Sequence, residues 1–164
     1  MANIHPPSSF GCKSHRRCIK QALSDAEQIC LQRKSRLTPL RKRVLELVWS
    51  SHKPLGAYAL LEQLSKEGHK PAPPTVYRAL EFLQEQGLVH KVNALNAYMG
   101  CAHPQPGDHN RQLLICRLCG NVAELQISEI EHAIDSVAKS AAFTVEKQAL
   151  EILGVCLQCS EHSL

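Results

Sequence analysis

Two cysteine pairs, Cys116-Arg-Leu-Cys119 and Cys156-Leu-Gln-Cys159, carry the most specific chemistry in this sequence. Two residues between cysteines let a tight turn aim both sulfurs at one ion, and two such turns complete a tetrahedral thiolate shell, the arrangement of structural zinc. A redox dithiol would need only one pair. The chain has no run of eighteen apolar residues and no apolar N-terminal segment of the kind that directs secretion. A cytoplasmic location is therefore expected. In that reducing setting eight cysteines are metal ligands or core residues before they are disulfides.

Other metal-binding side chains gather just before and after the first pair: His90, Cys101, His109 and Glu124. Each has a plain explanation as a surface imidazole, a buried thiol, a loop histidine or an exposed carboxylate. On chemistry alone His103 and Asp108 are equally eligible. A third group, Cys12, His15 and Cys18, offers only three ligands in a polar leader, short of a full shell.

Charge points to a different partner. Met1 to Lys91 holds fifteen Lys plus Arg against seven Asp plus Glu, whereas Val92 to Leu164 holds four against eight. An N-terminal half with a net charge of +8 suits a polyanion, with a merely solvated basic face as the plainer reading. No nucleophile–base pair and no phosphate-cradling loop is evident, so catalysis and a small-molecule substrate are not expected.

The elements that must position these groups follow from periodicity. Residues 1–22 read as a flexible leader, and Ser24-Asp-Ala-Glu27 as a capping box opening the first helix, with Cys30 among its buried residues. Thr38-Pro39 opens a second helix with Leu40, Val44, Leu47 and Val48 on one side. Gly56-Ala-Tyr58 leads into a third helix, ended near Gly68. The fourth, Thr75 to about Gln86, buries Val76, Ala79, Leu80 and Leu83 and is stopped by Gly87. Arg78 then lies about 160° from the centre of that apolar stripe, facing outward with Tyr77 on its flank and Thr75 at the helix start. Leu88 to Val92 and Ala97 to Cys101 read as short strands around a turn. Helices followed by such a hairpin form a winged-helix pattern, whose last helix enters the DNA major groove, where an arginine can pair with guanine.

The boundary falls at 103–110, a hinge with two prolines and a glycine. Past it, residues 111–164 supply strands on either side of the first cysteine pair and a helix opened by a second capping box, Ser128-Glu-Ile-Glu131. A last strand or pair of strands spans Phe143 to Val155. So small a domain favours both a metal staple and a dimer interface. The fold class expected is α+β: a winged-helix DNA-binding domain over 23–102, then a small α/β dimerisation and metal-binding domain with a four-cysteine zinc site.

Arg36-Leu-Thr-Pro39, Pro73-Pro-Thr-Val-Tyr-Arg-Ala-Leu80, Gly87-Leu-Val-His-Lys-Val92 and the two cysteine pairs together resemble the ferric uptake regulator superfamily, with the zinc uptake regulator branch the better match. The resemblance covers about Leu23 to Cys159. It implies a dimeric, DNA-binding transcriptional repressor that responds to zinc and controls zinc-uptake genes. It also implies a sensory zinc held by His90, Cys101, His109 and Glu124, a structural zinc held by Cys116, Cys119, Cys156 and Cys159, and DNA contacts from Tyr58 and Arg78. Two zincs per chain are thus expected, one structural and one regulatory. The partners expected are an operator in double-stranded DNA and a second copy of the chain, with two dimers on one operator as a further arrangement and no membrane. The His-His-Asp-His run of the iron-sensing branch is absent, and a thiolate ligand suits zinc better than iron or manganese. The alternatives are a regulator of the same superfamily sensing iron, manganese or peroxide and, from another class, a zinc-stapled thiol redox protein using Cys12, Cys18, Cys30 or Cys101.

Overall fold

The computed structural model describes residues 15–51, 53–102, 104, 111–125 and 127–161. They fall into two compact units, one running from α1 to β2 and one from β3 to α6. The first contains α1 (His15–Gln32), α2 (Pro39–Trp49), α3 (Ala57–Lys66), α4 (Pro73–Glu85) and the hairpin of β1 (Val89–Val92) and β2 (Ala97–Gly100). The second contains β3 (Arg111–Cys116), β4 (Val122–Leu125), α5 (Ser128–Ser140), β5 (Ala149–Gly154) and α6 (Leu157–Glu161). The architecture is α+β, a winged-helix unit followed by a small α/β unit. Among the described residues no helix is long and apolar enough to cross a membrane.

In the first unit the helices close over one aliphatic core. Ala26 and Cys30 of α1, Val44, Leu45 and Val48 of α2, Leu60 and Leu64 of α3, and Val76, Leu80 and Leu83 of α4 are all buried there. Each set repeats at helical spacing, which is why four short amphipathic helices can share one interior. Thr38 caps α2, its Oγ1 accepting from the Arg41 N–H at 3.4 Å, with Pro39 at the first helical position. Gly87 ends α4 at φ +69°, a conformation that costs a glycine little, and the Leu88 N–H closes back on the Leu83 carbonyl at 2.9 Å. That turn sends the chain directly into the wing.

The wing is held on both sides. β1 and β2 pair antiparallel with His90 opposite Met99 and Val89 opposite Gly100. Leu55, between α2 and α3, exchanges two backbone hydrogen bonds with Tyr98, at 2.9 and 2.8 Å. Across the helices, Arg43 of α2 donates to both carboxylate oxygens of Glu67 at 2.8 and 2.6 Å. At the far end Arg33 donates to the Glu85 carbonyl and to Gln86 Oε1, each at 3.2 Å, tying α1 to the end of α4.

The second unit is a three-stranded sheet in the order β4-β3-β5, with β3 antiparallel to β4 and parallel to β5. A parallel return needs a crossover, which α5 supplies. Leu113, Ile115, Val122 and Ala123 are buried, but no residue of α5 is, and Val137, Phe143, Ile152 and Leu153 stay exposed.

Four boundaries differ from the sequence-based expectation, and the smallest difference is that α4 begins at Pro73, two residues ahead of Thr75. α1 begins at His15, so Ser24 lies inside it and caps nothing. The periodic set continues backward through Ile19, Ala22 and Leu23, and Gln21 bonds Asp25 at 2.7 Å one turn on. The Ser128 box is not made either: Ile127 holds the cap position of α5 without a side-chain bond, and Ser128 Oγ instead reaches Glu129. The last strand is confined to Ala149–Gly154, and the second cysteine pair is split between the residue before the short helix α6 and α6 itself. Apart from Pro104, the expected hinge 103–110 lies outside the described residues, as does Cys12.

Candidate metal centres

Cys116 ends β3, Cys119 lies in the turn to β4, Cys156 follows β5, and Cys159 is on α6. Because β5 runs parallel to β3 with Cys116 opposite Gly154, the ends of the two strands deliver both pairs to one place. Gly120 makes the first turn possible, at φ +72° with its N–H on the Cys116 carbonyl at 2.9 Å. The four sulfurs lie within 4.8 Å of one another. A tetrahedral ion with zinc–sulfur bonds of about 2.3 Å requires sulfurs about 3.8 Å apart. Cys119 and Cys156 stand at 3.8 Å.

Electrostatics show what a cation would do there. The Cys116 thiol is drawn down to about 6, first by the backbone N–H of Cys119 and then by that of Cys156, which lies 3.3 Å from the sulfur. Cys159 is pushed up to about 12, chiefly by its hydrogen bond with Cys156, with burial adding to it. Four thiols this close do not all ionise unaided, whereas a divalent cation favours the thiolate form of each. The donor set therefore fits zinc.

A second candidate pair of metal ligands lies on the wing. Residues directly opposite in an antiparallel ladder share a face, and the face repeats every second residue. His90 is opposite Met99, so Cys101, two residues beyond Met99, projects from the same face as His90. Both are buried, each 2% exposed, and their ligand atoms lie within 4.8 Å. Nitrogen and sulfur sharing one tetrahedral zinc are about 3.6 Å apart, which this spacing accommodates. The Cys101 N–H is fixed on the Leu88 carbonyl at 3.0 Å. Glu124 lies on β4 of the other unit, opposite Leu113 and half-buried. His109, His103 and Asp108 lie outside the described residues.

The candidate DNA contacts are all at the surface of the first unit. Thr75, Tyr77 and Arg78 are exposed on α4, and Tyr58, at the start of α3, is 72% exposed. In the core of the same helix, Val76, Ala79, Leu80 and Leu83 are buried, so the exposed stripe is presented by a seated helix.

The sequence pattern of the ferric uptake regulator family matches residues 32–153. This chain belongs to that family. It is 39% identical over 142 residues to the zinc uptake regulation protein of Escherichia coli (strain K12), covering 87% of this chain and 83% of that one. Its structure superposes on that of a zinc uptake regulator complexed with zinc and DNA with a TM-score of 0.84 and 38% identity, over 88% of this chain and 97% of that chain. Holo XcZur superposes with a TM-score of 0.79 and 38% identity, over 85% and 96% of the two chains. Within this ferric uptake regulator chain, two features of the wing lie beyond the reach of residue spacing. One is the backbone bridge from Leu55. The other is the contact of Trp49, at the end of α2, with Gly100. Neither leaves a motif, because both join residues more than forty positions apart.

Proposed function

We propose that this protein is a zinc-responsive transcriptional repressor that binds operator DNA as a dimer when zinc-loaded and controls zinc-uptake genes. The observation that carries the reading is the wing: a buried imidazole and a buried thiol share one face of the hairpin in the unit whose α4 exposes Thr75, Tyr77 and Arg78. His90 and Cys101 would hold a regulatory ion, with His109 and Glu124 completing four ligands. Cys116, Cys119, Cys156 and Cys159 would hold a structural one, giving two zincs per chain. Bound zinc supplies directional bonds without redox chemistry, and the thiolate of Cys101 favours it over iron or manganese. Because His90 and Cys101 belong to the DNA-reading unit and Glu124 to the following one, ligands from both would join in one shell, coupling metal occupancy to the placing of α4.

The similar zinc uptake regulator complexed with zinc and DNA supports this reading, and so does the apolar surface of the second unit. Val137, Phe143, Ile152 and Leu153 are exposed there and suit burial against a second copy, which would set two copies of α4 about one DNA turn apart, roughly 34–36 Å. Two dimers on one operator, and a cytoplasmic location, belong to the same proposal. The test is to measure zinc per chain with and without a mild chelator, alongside operator binding in a gel-shift titration. Two zincs, one removable with loss of operator binding, are expected. Operator affinity indifferent to added zinc would refute the proposal.

A further inference from the structure

Gly100 is a glycine for reasons of space. Its backbone is not left-handed, so any residue could adopt it. A Cβ there would fall inside the indole of Trp49, overlapping Cε2 and Nε1 and standing 2.7 Å from Cδ2. The aromatic ring therefore lies directly against the bare backbone of the last residue of β2. Gly100 is opposite Val89, so it occupies the face of the wing opposite to that of His90 and Cys101 and is adjacent in sequence to Cys101. One face of the strand end offers metal ligands while the other rests on a rigid ring at the end of α2. Side chains and backbone that orient a ligand from behind influence metal affinity without touching the ion.

We propose that Trp49 and Gly100 are positioning residues for the wing's metal ligands, and that the indole senses the occupancy of that site from the end of α2. The inference rests on the assignment of His90 and Cys101 as zinc ligands made above. A strand end that can settle on a flat surface holds Cys101 at one height relative to His90. A methyl group at position 100 either lifts the strand off the ring and carries the sulfur with it, or displaces the ring and removes the surface that fixes the strand. Trp49 is the only tryptophan in the chain, so its emission is an unmixed reporter of this contact.

The experiment uses the full-length protein, stripped of removable metal with a mild chelator and titrated with zinc chloride while tryptophan emission and zinc affinity are followed. Emission of the wild type should change until one equivalent per chain is bound, and Cys101→Ser should abolish that change. Gly100→Ala should weaken the removable zinc by roughly 10–100-fold, the range for residues that orient a metal ligand, while the thiolate-bound zinc stays in place. Trp49→Phe, which keeps a flat ring, should lie closer to the wild type than Trp49→Ala. This order decides the matter if Gly100→Ala does not fold. Wild-type affinity in both Gly100→Ala and Trp49→Ala, or flat wild-type emission, overturns the inference. Wild-type zinc affinity in Cys101→Ser would instead sink the ligand assignment on which it rests.

Discussion

Replacing Cys156 by serine should unfold the second unit and leave the first intact. Among the described residues of that unit, the larger buried aliphatic side chains are Leu113, Ile115 and Val122. Burying side chains of this size contributes about 1.5–3 kcal/mol each, so the set supplies roughly 5–9 kcal/mol. A structural zinc contributes about 10–16 kcal/mol of apparent binding energy at neutral pH, so the metal outweighs the buried side chains. Losing even a quarter of that, about 2.5–4 kcal/mol, shifts the folded-to-unfolded ratio by roughly two to three orders of magnitude. Serine preserves the backbone N–H that Cys156 donates to Cys116 Sγ, so the change isolates the thiolate. Amide hydrogen exchange reads both units in one sample. Leu113 to Ile115 should lose protection, His90 to Val92 should keep it, and bound zinc should fall. Unchanged protection of β3 with the structural zinc absent would refute the reasoning.

Arg78→Ala should weaken operator binding by about 1–3 kcal/mol, or roughly 5- to 150-fold, and relax sequence preference, with dimer and zinc content unchanged in the same preparation. Glu67 lends itself to a pH test. The Arg43 guanidinium holds its carboxyl at about 2, below the usual carboxylate range. Because the folded value is depressed, the contribution is present above the unfolded value and is lost as pH falls through about 2. The melting-temperature deficit of Glu67→Gln, followed by Trp49 emission, should therefore be present at pH 7 and close as pH approaches 2. Thr38→Ala should destabilise the first unit by about 0.5–1 kcal/mol, the lower part of the range for a helix cap because the Thr38 bond is long at 3.4 Å, checked by denaturant melts.

What can be read from the sequence is local. Thr38-Pro39 marks the start of α2, Gly87 the end of α4, and the double cysteine pattern one cluster, because each depends on a few adjacent residues. The same local signals mislead at Ser24 and Ser128, where a serine three residues ahead of a glutamate imitates a cap that the continuing helix or Ile127 displaces. The apolar set Ile19, Ala22, Leu23 and Ala26 is the signal for the longer α1, masked by Cys12, His15 and Cys18, which read as ligands in a leader. The edge strand β5 is shorter than the run Phe143 to Val155 suggests, and its burial does not alternate: Leu150 is half-buried and Ile152 to Gly154 are exposed. The parallel pairing with β3 has no local signature at all, and neither does the seating of Trp49 on Gly100.

The paired backbone bonds between Leu55 and Tyr98 limit how a signal can travel. Tyr58 follows Leu55 by three residues, and Tyr98 precedes Cys101 by three, so a candidate DNA contact and a candidate ligand are riveted to the same rung. While that rung holds, Tyr58 cannot slide past the wing. Substitutions that uncouple repression from metal should therefore cluster away from this rung, since changes within it would damage reading and sensing together.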